Sequence, residues 1–340
     1  MDSAVRVNPL FSRLAPRWND TLIFMKKVLV TGAAGFIGFH LCKHLKERGD
    51  FVVGLDNFND YYDPSLKRAR AQHLEGVEVV EGDIVDINCL ERLVDKYSIT
   101  HIVNLAAQAG VRYSLEKPQA YVDSNITGFL NVLEVCRKHP KIKLVYASSS
   151  SVYGLNEKIP FSEEDRTDTQ ASLYGVTKKS NELMAHAYHH LFGISVIGLR
   201  YFTVYGPWGR PDMAYYLFAE AIVQEKPIKI FNNGNLMRDF TYIDDIIKGT
   251  VAAIDHDNGC AVYNLGNHRP VKLMHFIAIL EEALGKKAVK EMLPMQPGDV
   301  YQTYADITES KKDLGFSPTT PLEEGIPLFT NWFANNDKSR

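Results

Sequence analysis

The sequence predicts an α/β protein whose larger part is a doubly wound parallel sheet, with a smaller mixed α/β region toward the C-terminus. Three observations lead there. Short β-branched runs alternate with amphipathic segments from Lys27 to about residue 202, a glycine-rich turn directly follows the first run, and beyond Tyr201 the rhythm gives way to Gly and Pro. Strict alternation of strand and helix means parallel strands, because a chain re-entering a sheet in the same direction needs a long covering crossover. The chain of 340 residues, 45% of them hydrophobic, has material for one large domain or two ordinary ones.

The strand runs, in order, are VLV at 28–30, FVV at 51–53, VEVV at 77–80, HIVN at 101–104 and KLVYA at 143–147. A helix is expected from Tyr174 to Leu191, then a sixth strand in ISVIGLR. Gly206-Pro207, Gly209 and Pro211 then form a loop before a helix near Tyr215 to Gln224. Short strands and helices punctuated by Pro270, Pro294, Pro297 and Pro318 fill the C-terminal third. The expected organisation is a tail at 1–24, a nucleotide-binding domain at 25–202 to which about 240–264 return, and a second domain made of 203–239 and 265–340. In the tail Arg6, Arg13 and Arg17 alternate with Pro9 and Pro16 around no clean apolar core, so an upstream start before Met25 is favoured over a targeting signal.

A formal net charge of -3 provides no basic field for nucleic acid or an anionic membrane surface. No stretch approaches the roughly 18 apolar residues of a membrane span. Cys42, Cys89, Cys136 and Cys260 are scattered, which indicates neither a zinc site nor a disulfide framework but free thiols in a reducing, cytoplasmic setting. His40/His44 and His186/His190 have helical metal-site spacing, yet no acid or third ligand accompanies them, so solvated helix faces and no metal are expected.

The turn after the first strand reads Thr31-Gly32-Ala33-Ala34-Gly35-Phe36-Ile37-Gly38 and enters a helix. Small residues let backbone approach a pyrophosphate, and the helix start contributes amide donors and the positive end of its dipole. The second strand ends at Asp56, 18 residues past Gly38, where a carboxylate accepts from an adenosine ribose diol. That acid would repel a 2′-phosphate, and no arginine stands at Asn57, Phe58 or Asn59, so the expected Rossmann cofactor is NAD. Asp83, beside Ile84 after the third strand, either reaches the adenine amino group or caps a turn.

Tyr174 and Lys178 stand at i and i+4, on one helical face. A phenol of pKa near 10 is a poor base at neutral pH, and an ammonium beside it together with a positive nicotinamide ring favours the phenolate. Ser148, Ser149, Ser150 and Ser151 follow the fifth strand at the carboxyl end of the sheet, where α/β ligands sit.

TGAAGFIG, NLAAQAGVRYS, YASSSSVYG, YGVTKK, RYFTVYGPWGRPDM, RDFTYIDD and QPGDV, in this order, resemble the extended short-chain dehydrogenase/reductases of the NAD-dependent epimerase/dehydratase family. Within it they look like the UDP-glucuronate 4-epimerases, over about residues 26–335. The resemblance implies Ser149 as the catalytic hydroxyl, Tyr174 as base and Lys178 as its electrostatic partner. Leu105, Ala106, Ala107 and Gln108 would line the cofactor cleft with Tyr201, and Asn125 would lie near it. The Asn125-Ile-Thr sequon is set aside for a cytoplasmic enzyme.

Related dehydratases carry an Asp-Glu pair where this chain has Ser150 and Ser151, which argues against elimination. Many relatives have asparagine in place of Thr203. A hydroxyl there, with Ser150, Ser151 and the fork of Arg210, suits a C6 carboxylate. Such clamping has a chemical purpose, since a 4-ketone beside the carboxylate-bearing carbon makes a β-keto acid that loses carbon dioxide once the breaking bond aligns with the carbonyl. Arg238 would clamp the diphosphate, Asp299 would contact the uridine ribose, and Arg112 would add a phosphate or sugar contact. Asp244-Asp245 reads as a helix cap rather than a ligand. By the same resemblance the chain is a homodimer joined through helices at about 119–138 and 174–191. The alternatives are a UDP-glucuronate decarboxylase, a neutral UDP-hexose epimerase, or a catalytically silent NAD-binding protein.

Overall fold

The computed structural model describes residues 25–257, 259–295 and 301–336; the expected tail and Asp299 lie outside them. β1 (Lys27–Thr31), β2 (Phe51–Asp56), β3 (Glu78–Glu81), β4 (His101–Asn104), β5 (Lys143–Ser149) and β6 (Ser195–Tyr201) form a parallel sheet completed by Cys260–Leu265. The spatial order is Cys260–Leu265, β6, β5, β4, β1, β2, β3. The chain winds one way from β1 to β3 and resumes on the other side of β1 with β4, which makes the β1/β4 edge the switch point where a ligand crevice opens.

Both faces of the sheet are covered, so its strands are nearly all apolar. Val28 and Val30 point into one core with Phe36, Phe39 and Ile246, whereas Leu29 points into the other with Leu90, Leu133 and Val94. α1 (Phe36–Arg48) ends at Gly49, whose φ of 98° is open to glycine at little cost. α2 (Pro64–Gln72) starts with proline after Asp63, whose carboxylate accepts from Ser65 N. α3 (Ile87–Tyr97) starts at Asp86, which accepts from the Asn88 and Cys89 amides at 3.0 and 3.2 Å.

The helix expected at 119–138 is present but interrupted: Pro118–Tyr121 and Phe129–Lys138 flank a π-helical stretch at Val122–Gly128. The wider turn carries Asn125 inward, and such irregular turns favour functional neighbourhoods. The C-terminal region has a three-stranded mixed sheet of Val271–Lys272, Met237–Arg238 and Gln302–Thr303 and two parallel pairs. Its core is aromatic, with Phe240 stacked on Phe276 at 4.6 Å and Tyr215 edge-on to Phe329 at 4.9 Å.

Two local expectations are corrected. Neither Asp244 nor Asp245 caps the helix Ile243–Asp255; the N-cap is Tyr242, without a side-chain bond. Buried Asp245 instead accepts from the Thr319 and Thr320 amides at 3.1 and 2.9 Å, a segment far along the chain. His40 is not on a solvated face either. Its Nε2 lies 2.9 Å from Pro207 O, and burial pushes its pKa down to about 4. His186 and His190 are exposed as expected.

Candidate active site

A cleft of about 990 Å³ opens at the switch point between the carboxyl ends of the strands and the C-terminal region. Its floor is the glycine turn. Gly32 has a φ of +71°, and a Cβ at Gly38 would sit 2.1 Å from Gly32 O, so the turn closes only without side chains. Gly35 offers no side-chain cap to α1, which leaves the first-turn amides, at Phe36 and Ile37, facing the cleft without a capping group. Asp56 accepts from Ala34 N and Phe58 N at 3.0 and 2.9 Å while lining the cleft, so one carboxylate both shapes the turn and faces the ligand. Asp83 combines its two expected roles: it accepts from Val85 N within a turn and still lines the cleft beside Ile84. Leu105, Ala106, Ala107 and Gln108 form the wall above β4. Uncapped amides for phosphates and a carboxylate for a diol are the donor and acceptor set that a dinucleotide requires.

Tyr174 and Lys178 share the helix Leu173–Phe192, capped by Ser172, whose Oγ accepts from Gly175 N at 3.1 Å. Ser149 ends β5, its hydroxyl accepting from Ser151 N at 3.1 Å and close enough to the Tyr174 phenol to favour its ionised form. The spacing thus brings the three groups into one cleft, and the protein groups alone do not lower the Tyr174 phenol. Burial pushes the Tyr174 phenol above its ordinary value and outweighs the Ser149 hydrogen bond and the Arg210 charge. Lys178 has its own desolvation cost, which lowers its pKa to about 8, and its Nζ donates to Ala147 O at 2.8 Å. That single bond leaves two N–H donors for a ligand.

Lys178 has a testable consequence for stability. Below pH 8 both folded and unfolded chains carry the proton, and burial of the charge costs on the order of 3 kcal/mol. Between about 8 and the unfolded value of 10.5 only the unfolded chain keeps it, so this contribution makes stability rise with pH. Urea denaturation of the ligand-free protein should show Lys178→Met more stable than wild type at pH 7, with the gap closing toward pH 10.5. A gap independent of pH would refute the assignment.

Ser150 and Ser151 open a 3₁₀ turn and line the cleft with Thr203, Arg112 and Arg210. Tyr201 lines it through its ring, since its hydroxyl is 2.9 Å from Thr250 Oγ1. Two of the expected residues are not among the side chains that line the cleft. Asn125 is buried as a brace, accepting from Gln108 N at 2.8 Å and donating to Gln108 O and Thr177 Oγ1, so it positions the cleft wall from behind. The Arg238 guanidinium donates to the carbonyls of Met237 and Tyr301, away from the lining.

Four residues at or beside the cleft are not legible in the sequence as site residues: Tyr61, Asp212, Phe231 and Arg70. Tyr61 donates to Asp212 at 2.9 Å, and Asp212 pairs with Arg210. Phe231 lines the cleft with Arg112 over its ring at 5.7 Å. Wholly buried Arg70 staples the glycine turn to the loop before Arg210, donating to Ala34 O, Trp208 O, Gly209 O and the Tyr62 hydroxyl. Only Asp212, two residues from Arg210, had a local signal.

Beneath the serines lies a buried polar network. Arg200 and Glu182 form a side-on pair at 2.8 and 2.9 Å, Ser148 donates to Glu182 at 2.6 Å, and Arg200 also reaches the Tyr153 hydroxyl at 3.0 Å. Tyr153 in turn donates to Asn264 at 2.7 Å, so the end of β5 is tied to β6 and to the last strand. Among the described residues no group of three or more His, Cys, Asp or Glu side chains is placed to hold a metal.

Residues 28–266 match the family model "NAD dependent epimerase/dehydratase family". UDP-glucuronate 4-epimerase 4 of Arabidopsis thaliana is 54% identical over 326 residues, covering 90% of this chain and 75% of the plant protein. The crystal structure of UDP-glucuronic acid 4-epimerase from Bacillus cereus, in complex with UDP-glucuronic acid and NAD, superimposes with a TM-score of 0.85 at 40% identity, covering 91% of this chain and 99% of that one. The UDP-glucose 4-epimerase of Bifidobacterium longum, in complex with NAD+ and UDP, gives 0.84 at 28% identity, covering 93% and 100%. With glycine turn, terminal acid and Tyr/Lys/Ser cluster gathered at one switch point, the chain belongs to the NAD dependent epimerase/dehydratase family.

Proposed function

We propose that this protein is an NAD-dependent epimerase that inverts C4 of a UDP-sugar, interconverting UDP-glucuronate and UDP-galacturonate. Asp56 and Asp83 would hold the adenosine end of NAD, the α1 amides its phosphates, and Lys178 the nicotinamide ribose. When bound, NAD supplies a two-electron acceptor that takes up the C4 hydrogen and returns it. Ser149 holds the C4 oxygen, and Tyr174 takes its proton and later gives it back. Between these steps the 4-keto sugar turns about its anchored diphosphate and presents its other face. Arg238 and Asp299 are the proposed anchors of the nucleotide end, with Arg112 beside them. For Arg238 this requires the side chain to leave its carbonyl partners when the diphosphate arrives.

The observation that carries the choice of a carboxylated sugar is the Arg210 fork, which shares one cleft with Tyr174, Thr203 and the hydroxyls of Ser150 and Ser151. No acid stands at 150 or 151 to drive elimination. Purified protein given UDP-glucuronate should yield UDP-galacturonate without release of carbon dioxide. Formation of a UDP-pentose, or turnover of UDP-glucose at equal efficiency, would replace this reading with one of the two enzyme alternatives. An absence of turnover, with NAD bound, would favour the silent protein.

We also propose a homodimer. Val122 and Leu130 on one helical segment and Val176 and Leu183 on the neighbouring helix are exposed, Leu183 to 60%, an apolar face of the kind an isologous interface covers. Sedimentation at the monomer mass would exclude it. The cytoplasm suits its free cysteines, and among the described residues no helix is long and apolar enough to cross a membrane.

A further inference from the structure

Arg210 is paired within the protein. Its Nε donates to Asp212 Oδ1 at 3.0 Å and its Nη2 to Oδ2 at 2.5 Å, while the Tyr61 hydroxyl donates to the same Oδ2 at 2.9 Å. Burial alone would raise the Asp212 carboxyl, but the charge and hydrogen bonds of Arg210, with Tyr61, hold it below the usual range, so Asp212 is an anion at neutral pH. Asp212 in turn helps burial push the Tyr61 phenol up to about 12, which keeps it a proton donor. Asp212 thus fills the side-on edge of the guanidinium. Tyr61 also lies beside the guanidinium, and Nη1 with the remaining N–H of Nη2 forms the end-on edge on which a second carboxylate can dock.

The charge of this arrangement matters more than its shape. A lone guanidinium in a partly dry cleft would hold a sugar carboxylate strongly in the pose in which it first bound. The reaction proposed above needs that carboxylate to leave one pose and settle in another between the two transfers. Binding energy realised only in the starting pose lowers KM and slows turnover. An anion resident on the same guanidinium shares its positive charge and weakens that hold while the fork stays aimed.

We propose that Asp212, anchored by Tyr61, is a positioning residue that tempers Arg210, so that the sugar carboxylate is recognised yet released for the turn. This rests on the reading of Arg210 as the carboxylate anchor. It also gives Tyr61, from the loop after β2, a part in substrate handling.

Asp212→Asn keeps the size and one acceptor and removes the charge. Steady-state kinetics should show KM for UDP-glucuronate falling about threefold or more and kcat falling about tenfold. Competitive inhibition by UDP-glucose, which lacks the carboxylate, should shift by less than about twofold. In an Arg210→Gln background the same change should have no further effect on KM. A rise in KM, or both parameters unmoved, overturns the proposal. Should Asp212→Asn fail to fold, Tyr61→Phe serves instead, with shifts in the same directions expected and the opposite directions contradicting it. If Arg210→Gln alone leaves UDP-glucuronate kinetics unchanged, the carboxylate reading falls, and the role of Asp212 with it. If Arg210→Gln raises KM while Asp212→Asn does nothing, only the role of Asp212 falls.

Discussion

Tyr174→Phe is expected to lower turnover of UDP-glucuronate by about 10²–10⁴-fold, the usual contribution of a positioned general base, with KM little changed. The ring survives the substitution, so its edge contact with Tyr121 at 6.1 Å and the packing of the helix are kept. What is lost is the one oxygen that, in the proposed mechanism, exchanges a proton with C4-OH. Because burial holds the ligand-free phenol above its ordinary value, it keeps its proton at neutral pH. Under the proposed function the positive charge that favours the phenolate comes from bound NAD. The pH profile of kcat in wild type should accordingly rise on its alkaline-going limb, and the Phe variant should lose that limb. Product chromatography over a time course measures both. Residual turnover above a tenth of wild type would end the assignment of Tyr174 as the base.

Glu182→Ala is expected to cost about 3–5 kcal/mol of stability, because it strands a buried guanidinium. The side chains of Arg200 and Glu182 are each 4% exposed, so water cannot take over the missing partner. Burial alone would raise the Glu182 carboxyl, but the Arg200 hydrogen bond and charge, with Ser148, hold it below the usual range. With the folded value under the unfolded one, its contribution is fully present above about pH 4.5 and is lost as pH falls through the folded value. Chemical denaturation at pH 7 reads the loss. The double variant Glu182→Leu/Arg200→Met should recover most of it, since replacing both charges leaves no orphan. A cost below about 1 kcal/mol for Glu182→Ala would mean that the pair is not buried in solution. Ser148, which donates to Glu182, directly precedes Ser149, so turnover should fall along with stability.

What could be read along the chain was read well. The six β-branched runs became strands within a residue or two, and the spacing of Tyr174 and Lys178 placed both on one face, because each feature lies within a single element. Asn125 lies near the cleft as expected, but its bonds to Gln108 and Thr177 depend on a π-helical stretch that no local pattern announces. Asp245 was misread because its partners lie at 319 and 320. How deeply Tyr174 is buried is not legible in a linear sequence, and desolvation is the largest influence on its phenol.

By itself the sequence determined the parallel sheet, the glycine turn and the placing of Tyr174 and Lys178 on one helical face, since periodicity, glycine geometry and i, i+4 spacing act over a few residues of one chain segment. Only the tertiary structure decided which charges meet. Arg70 on Ala34 and Trp208, Tyr61 on Asp212, and Arg200 on Glu182 are joined by packing across distant segments, and whether a charge is neutralised, aimed or desolvated depends on that packing alone.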